Sequence, residues 1–261
     1  MDFFSSFYGA NIEFFGVQNL MKVTCVNGIK LTASAVSLIG IANLFGASSA
    51  QALTNGSFET GDFTDWETIG NTSIETSAFG SGPTDGNFEA FLSTDDPTVS
   101  DSTLENFLDL APGSLDSLGN GDATVGSAIR QTFTAEAGDI LTFDWNFLTD
   151  EFTPDPFFND FAFVSLTGLD TLANTFSPFV DSLTPLFDEE TGFETFSFTI
   201  ETAGTYTLGL GVTDVLDTIF DSGLLIDNVD LESVPEPVSV LSLIGLVALG
   251  AGSKLKRKQS T

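Results

Sequence analysis

Between residues 53 and 233, apolar and polar positions alternate in short runs bounded by Gly, Pro, Asp and Asn, the pattern of half-buried strands. Asp139–Thr149 shows it well: Leu141, Phe143, Trp145 and Phe147 share one face, and Thr142, Asp144 and Asn146 the other. Thr205–Val215 repeats it, with Tyr206, Leu208, Leu210 and Val212 inward and Gly209 and Gly211 outward. The same reading predicts strands at Asn55–Glu59, Trp66–Ile69, Ser73–Phe79, Asn87–Ser93, Val125–Ala135, Asp160–Leu169, Phe193–Glu201 and Leu224–Glu232. Short strands with no helical period between them predict an all-β fold, a jelly-roll-like β-sandwich of roughly 8–10 strands. Two stretches break the pattern. Thr94–Asp122, rich in Asp, Ser, Pro and Gly, reads as a loop with a short helix around Ser102–Leu110, and Leu172–Glu190 as a surface excursion.

Both ends read as addresses rather than fold. Within residues 21–52, Lys22 and Lys30 form a basic start and Leu31–Phe45 an apolar stretch, and Ala50-Gln51-Ala52 supplies the small-x-small pattern of a signal peptidase site. Cleavage is expected after Ala52, and residues 1–20 read as an over-extended N-terminus ahead of Met21. The one cysteine, Cys25, falls in this leader, outside a lipobox context. At the other end, Val238–Gly252 is an apolar run of 15 residues. As a helix it reaches about 22 Å, short of a hydrocarbon core of about 30 Å unless Lys254 and Lys256 snorkel. Lys254, Lys256, Arg257 and Lys258 after it place the tail in the cytoplasm. Pro235 and Pro237 keep the preceding stretch extended. The expected topology is a single transmembrane helix at 238–252, the 53–233 domain outside and the tail inside.

Charge narrows the partners. Of 37 acidic residues, 34 lie between Leu53 and Ser233, where Arg130 is the sole base, a net of −33. Such a surface repels nucleic acid and anionic lipid. The 27 Phe and 42% apolar content supply a core that disordered acidic tails lack. The carboxylates are either solvated surface or neutralised in part by divalent cations. The chain has no His, and Cys25 leaves with the leader, so Ser-His-Asp and Cys-His catalysis are excluded and imidazole- or thiolate-seeking metals disfavoured. Paired carboxylates can hydrolyse glycosides, but among so many acids a chance pair carries no information. The expectation is a protein that is not an enzyme.

Val234-Pro235-Glu236-Pro237, the apolar run and the Lys254–Lys258 cluster together resemble the PEP-CTERM sorting signal of exosortase substrates. The resemblance covers residues 234–261. It implies that the helix is a transient inner-membrane anchor and that an exosortase, a membrane cysteine protease, cuts near Pro-Glu-Pro. The protein would then reach the cell surface or exterior of a bacterium that makes exopolysaccharide.

Asn55-Gly56-Ser57-Phe58-Glu59 with Trp66, and Leu225-Ile226-Asp227-Asn228-Val229, resemble the first and last strands of jelly-roll carbohydrate-binding modules. That resemblance implies a glycan-associating domain whose terminal strands share a structural Ca²⁺, with Glu59 and Asp227 giving carboxylates and Ser57 a carbonyl. Ca²⁺ takes about six to eight hard oxygens, which such residues provide. The competing reading is that these are ordinary strand-edge carboxylates. A second acidic group, Asp150, Glu151, Asp155 and Asp160, lies in a Pro- and Phe-rich loop, and reads as a second cation site, as part of a sugar-binding surface, or as a solvated loop anchored to the core by its phenylalanines. Trp66 and Trp145 are candidates for stacking on sugars, although Trp145 alternates with Phe143 and Phe147 as a core residue does. The expected partners are a signal peptidase, an exosortase and exopolysaccharide. A structural or adhesive matrix protein without a ligand site is the alternative, and a divergent glycosidase a third.

Overall fold

The structure is a computed structural model that describes residues 52–234. Ala50, Pro235, Glu236, Pro237, the apolar run 238–252 and the basic residues Lys254, Lys256, Arg257 and Lys258 lie outside the described residues, as does the leader before Ala52. Among the described residues no helix is long and apolar enough to cross a membrane.

Two antiparallel sheets stack face to face. The first contains β1 (Glu67–Ile69), β4 (Val99–Ser100), β5 (Ala123–Ala135), β7 (Phe161–Ser165), β8 (Leu169–Asn174) and β12 (Gly204–Val215). Its order is β1-β5-β12-β7-β8, with β4 also paired to β5. The second contains β2 (Asn71–Glu75), β3 (Glu89–Ser93), β6 (Ile140–Thr149), β9 (Val180–Asp181), β10 (Glu189–Glu190), β11 (Glu194–Thr199) and β13 (Ser222–Glu232). Its order is β2-β3-β13-β6-β10-β9, with β11 pairing the earlier half of β6. Nine of these strands have five residues or more, so the all-β, jelly-roll-like sandwich expected from the alternation is the fold observed.

The alternation works as period two requires. Leu141, Phe143, Trp145 and Phe147 of β6 face Leu208, Leu210 and Val212 of β12 across a dry interior that Phe58, Trp66, Ile129 and Phe133 complete. Trp145 is core as its neighbours imply. Trp66 is core as well, stacked near Phe58 with ring centroids 5.5 Å apart and its Nε1–H donated to the Asn55 carbonyl, so neither tryptophan is free to stack on a sugar.

Both outer faces carry satellite cores. On the first sheet, α1 (Asp101–Phe107) and the chain after it lay Leu104, Leu108 and Leu115 over Ala128, Phe161, Phe163 and Val215. Thr94–Asp122 is therefore a packed cover with the expected short helix rather than a solvated loop. Gly209 permits the approach, because a Cβ there would lie 2.6 Å from a Leu108 methyl. Arg130 pins the cover down: it bonds Glu67 and Asp109, donates to the Phe107 carbonyl and lies over the Phe107 ring. On the second sheet, Phe79 and Phe187 close over Phe91, Leu148 and Leu225. Among the described residues, the three clusters draw on positions 53–231, so this segment carries a core of its own.

Three expectations are corrected. Asn55–Glu59 is not a strand but a pair of tight turns, with Asn55 and Phe58 at positive φ. The Asn55 side chain holds that shape by donating to the Asp62 and Thr64 carbonyls and accepting from the Thr60 N–H. The strand expected over Ser73–Phe79 ends at Glu75. The one expected over Asp160–Leu169 stops at Ser165, and a further strand, β8, follows from Leu169.

Candidate functional site

The terminal segments do meet. The Val229 N–H donates to the Gly56 carbonyl at 3.0 Å, and the 84–88 loop lies across both. Glu59 Oε1 accepts from the N–H groups of Asn87 and Phe88 at 2.6 and 2.9 Å, and these bonds hold its carboxyl below the usual range. Asp227 Oδ2 accepts from the N–H groups of Thr84 and Asp85 at 2.7 and 2.8 Å, and Oδ1 from Asn228. Ser57 Oγ donates to Asp85 at 2.8 Å. Ser57, Glu59 and Asp227 are thus gathered on one loop and act as its clip. Asp227 lies in the middle of the second sheet and is fully buried, which raises its pKa; Glu59 is exposed in a turn, so neither is a strand-edge carboxylate. The set has the hard oxygens Ca²⁺ prefers, Asp85 included, and carboxylate oxygens keep lone pairs beyond one N–H each. Among the described residues, however, no three acidic side chains already stand in metal-holding geometry.

An acidic row crosses the outer face of the second sheet. Glu75 pairs with Glu89, and Asp227 with Asp144; one step beyond the Ile226–Ala90 pair, Glu89 comes opposite Asp227. Glu89 is 0% exposed and neither carboxylate oxygen has a hydrogen-bond partner. Burial, then Asp227, Glu75 and Glu190, push its pKa up to about 8. Sequence reasoning missed Glu89, whose burial comes from the chain folding over it.

The second acidic group is redistributed. Asp160 is buried at the start of β7, accepting from the Val215 N–H at 2.9 Å and Ser222 Oγ at 2.8 Å. Glu151 is 5% exposed with both oxygens unpartnered, and burial, Asp217 and Asp155 raise its pKa to about 7. Asp150 and Asp155 are half-buried and bind backbone instead, Asp150 the Asp188 N–H and Asp155 those of Phe157 and Phe158. The structure brings in one residue not anticipated, Asp214, which is 1% exposed and has no partner for either oxygen. It lies beside Asp160 and the Thr94 hydroxyl, and burial raises the pKa of both aspartates. The signal was present: Leu208, Leu210 and Val212 face inward, and Asp214 has the same parity.

Glu151, Asp160 and Asp214 sit at the end of the sandwich where β6 stops and β13 starts, with Asp150 N–H bonded to the Asp221 carbonyl. Exposed Phe152, Phe157, Leu186, Ile219 and Phe220 lie on the loops there, and Phe152 and Phe220 pack edge to face. At the opposite end of the same strands, Ala52 and Ser233 line one hollow of about 320 Å³ with Glu136, Asp139 and Asp230, and the Val234 N–H donates to Asp139. Both ends of the described chain therefore leave from one pole, and the acidic pole is the other.

The sequence matches no protein-family model, and comparison with curated proteins finds no relative. Among solved structures, this chain is similar to TmCBM61 in complex with β-1,4-galactotriose, with 14% identity, 71% of this chain and 100% of that one covered and a TM-score of 0.40. It is also similar to a carbohydrate-binding module specific for non-crystalline cellulose, CBM28, with 13% identity, coverage of 70% and 96%, and a TM-score of 0.35. A third is the enzymatically active domain of bacteriophage CBA120 tailspike protein 4, with 14% identity, 71% of this chain but 22% of that one covered, and a TM-score of 0.34.

Proposed function

We propose that this chain is an exported, non-catalytic domain of the bacterial surface or extracellular matrix, tethered through one pole and associating with exopolysaccharide through the other. The observation that carries this is the polarity of the sandwich: Ala52 and Val234 leave together, and the acidic, apolar-rimmed loops lie at the far end of β6 and β13. A domain anchored by its tail presents those loops away from the membrane. The sorting-signal resemblance of residues 234–261 supports export and exosortase processing, and the leader supports signal peptidase cleavage after Ala52. The resemblance of Asn55–Glu59 and Leu225–Val229 to carbohydrate-binding modules supports the glycan role, and the clip of Ser57, Glu59 and Asp227 supports a structural Ca²⁺.

Charge sets the condition for binding. With a net of −33 over residues 53–233, contact with an acidic polysaccharide requires bridging cations, whereas a neutral one does not. Purified residues 53–234 are expected to co-sediment with the host's exopolysaccharide in millimolar Ca²⁺, and to release an acidic polymer when a chelator is added. Failure to co-sediment in either condition favours the alternative, a matrix component with no ligand site. The satellite cores over part of each outer face speak for that second reading, since they narrow the open sheet left for a glycan chain.

Processing has its own test. With Pro235-Glu236-Pro237 replaced by alanines, the protein should remain in the membrane fraction at the size of its precursor. Release at the normal rate would rule out recognition of this motif.

A further inference from the structure

The pole where the described chain enters and leaves contains the hollow whose walls hold Ala52 and Leu53 together with three carboxylates, Glu136, Asp139 and Asp230. The bond between Ala52 and Leu53 is the one at which the leader is expected to be cut. Hydrogen bonds fix the walls. Glu136 and Asp139 stand in the turn between β5 and β6, and Ile200 ties that turn down by donating its N–H to the Asp139 carbonyl and accepting from the Gly138 N–H. Buried Asp139 accepts from the Glu136 N–H at 2.8 Å through Oδ2 and from the Val234 N–H at 3.2 Å through Oδ1, and each oxygen keeps a further lone pair. Asp230 comes from β13. Leu53 is held as firmly. Its side chain packs against the main core, and the next residue is clamped by buried Gln131, which accepts from the Thr54 N–H at 2.8 Å and donates to the Thr54 carbonyl at 2.9 Å.

We propose, on the basis of leader cleavage after Ala52, that the new α-ammonium of Leu53 docks in this hollow against Asp139, flanked by Glu136 and Asp230, and so locks the entry of the mature chain to its exit at Val234. In the cut, water adds its OH to the Ala52 carbonyl carbon and its hydrogen to the Leu53 nitrogen. At neutral pH the released acid gives up a proton and the amine takes one up. Before the cut that nitrogen is an uncharged amide with one N–H; after it, the nitrogen has three donors and a positive charge. No basic side chain competes for the hollow, because Arg130 is the only one in residues 53–233 and it is bound to Glu67 and Asp109. A tethered ammonium needs only one or two carboxylate oxygens, and such charge-assisted bonds are about twice as strong as neutral ones. Asp65, bonded to Thr54 Oγ1 at 2.9 Å, adds a further negative charge beside the same turn.

Residues 53–234 contain no lysine, so the α-amine is the only amine in that fragment and can be read directly. The fragment is released from a fusion with Leu53 as its first residue, and its acylation by an amine-reactive ester is followed against pH, both folded and in urea. The unfolded chain should show an amine pKa of about 7.7–8.0, and the folded chain one at least about a unit higher. With the folded value raised, the ion pair stabilises fully below the unfolded pKa and is lost as pH rises through the folded one. The Nα-acetylated fragment should therefore melt about 2–4 °C below the free-amine fragment near neutral pH, a difference that vanishes above about pH 10. Asp139→Asn should remove most of the pKa shift. Should that variant fail to fold, Glu136→Gln combined with Asp230→Asn, both exposed, should still reduce it. Equal amine pKa values in the folded and urea-unfolded chains overturn the proposal, as does a raised value that none of these substitutions lowers. N-terminal sequencing of the exported protein separates the two readings. A first residue other than Leu53 overturns the cleavage and this proposal with it, whereas Leu53 with an unshifted amine overturns the proposal alone.

Discussion

Glu89→Gln stabilises the sandwich in alkaline solution by roughly 3–5 kcal/mol and has no effect near pH 4. The reason is linkage. Glu89 titrates near 4.5 in the unfolded chain, but burial and the facing carboxylates of Asp227, Glu75 and Glu190 raise it to about 8 in the fold. Below about pH 4 the group is protonated in both states and costs nothing. As pH rises the unfolded chain gives up the proton while the folded one keeps it, so stability falls by about 1.4 kcal/mol per pH unit until the folded pKa is passed. Gln keeps the shape, removes the charge and offers N–H donors to its acidic neighbours. Urea titrations of both proteins at several pH values decide the matter; if their stabilities stay parallel between about pH 5 and pH 9, Glu89 is not the buried acid described.

Gly56→Ala costs about 3 kcal/mol, a fall of about 6–12 °C in Tm. A Cβ at Gly56 would lie 1.8 Å from the Val229 carbonyl oxygen and 2.8 Å from its carbon. Backbone on both sides leaves nothing flexible to yield, so the first turn must lift off the end of β13. The Gly56–Val229 hydrogen bond goes with it, and Phe58 and Trp66 lose their seat in the core. Differential scanning calorimetry of residues 53–234 measures the loss; an unchanged Tm would mean that the N-terminal turn contributes nothing to the fold.

The two long strands β6 and β12 were legible because their interiors are dry and period two survives along their length. Asn55–Glu59 misled because Phe58 and Glu59 look like a strand, whereas the Asn55 side chain recruits Asp62 and Thr64 into a turn that no alternation can reveal. For the terminal clip, the resemblance pointed to Ser57, Glu59 and Asp227 as cation ligands, whereas the structure seats all three against the 84–88 loop, Thr-Asp-Gly-Asn-Phe, which reads as a turn and gives no hint of the carboxylates its N–H groups meet. At the acidic pole, proximity in sequence suggested Asp150 and Asp155 as partners of Glu151 and Asp160. Asp214 arrives there from more than fifty residues away through the β12–β7 pairing, information held in topology rather than in any local pattern.

The position of β13 has a consequence for the timing of folding. It is the last strand among the described residues, yet it lies in the interior of the second sheet, hydrogen-bonded to β3 on one side and β6 on the other. A chain that emerges N-terminus first can pair β2 with β3 and β1 with β5 early, but β2-β3 and β6 remain separate fragments with open edges until residues 222–232 are available. Such non-local closure is slow, and it leaves unpaired edges exposed while it waits. The second sheet therefore closes late, when β13 slots between β3 and β6, both made well before it.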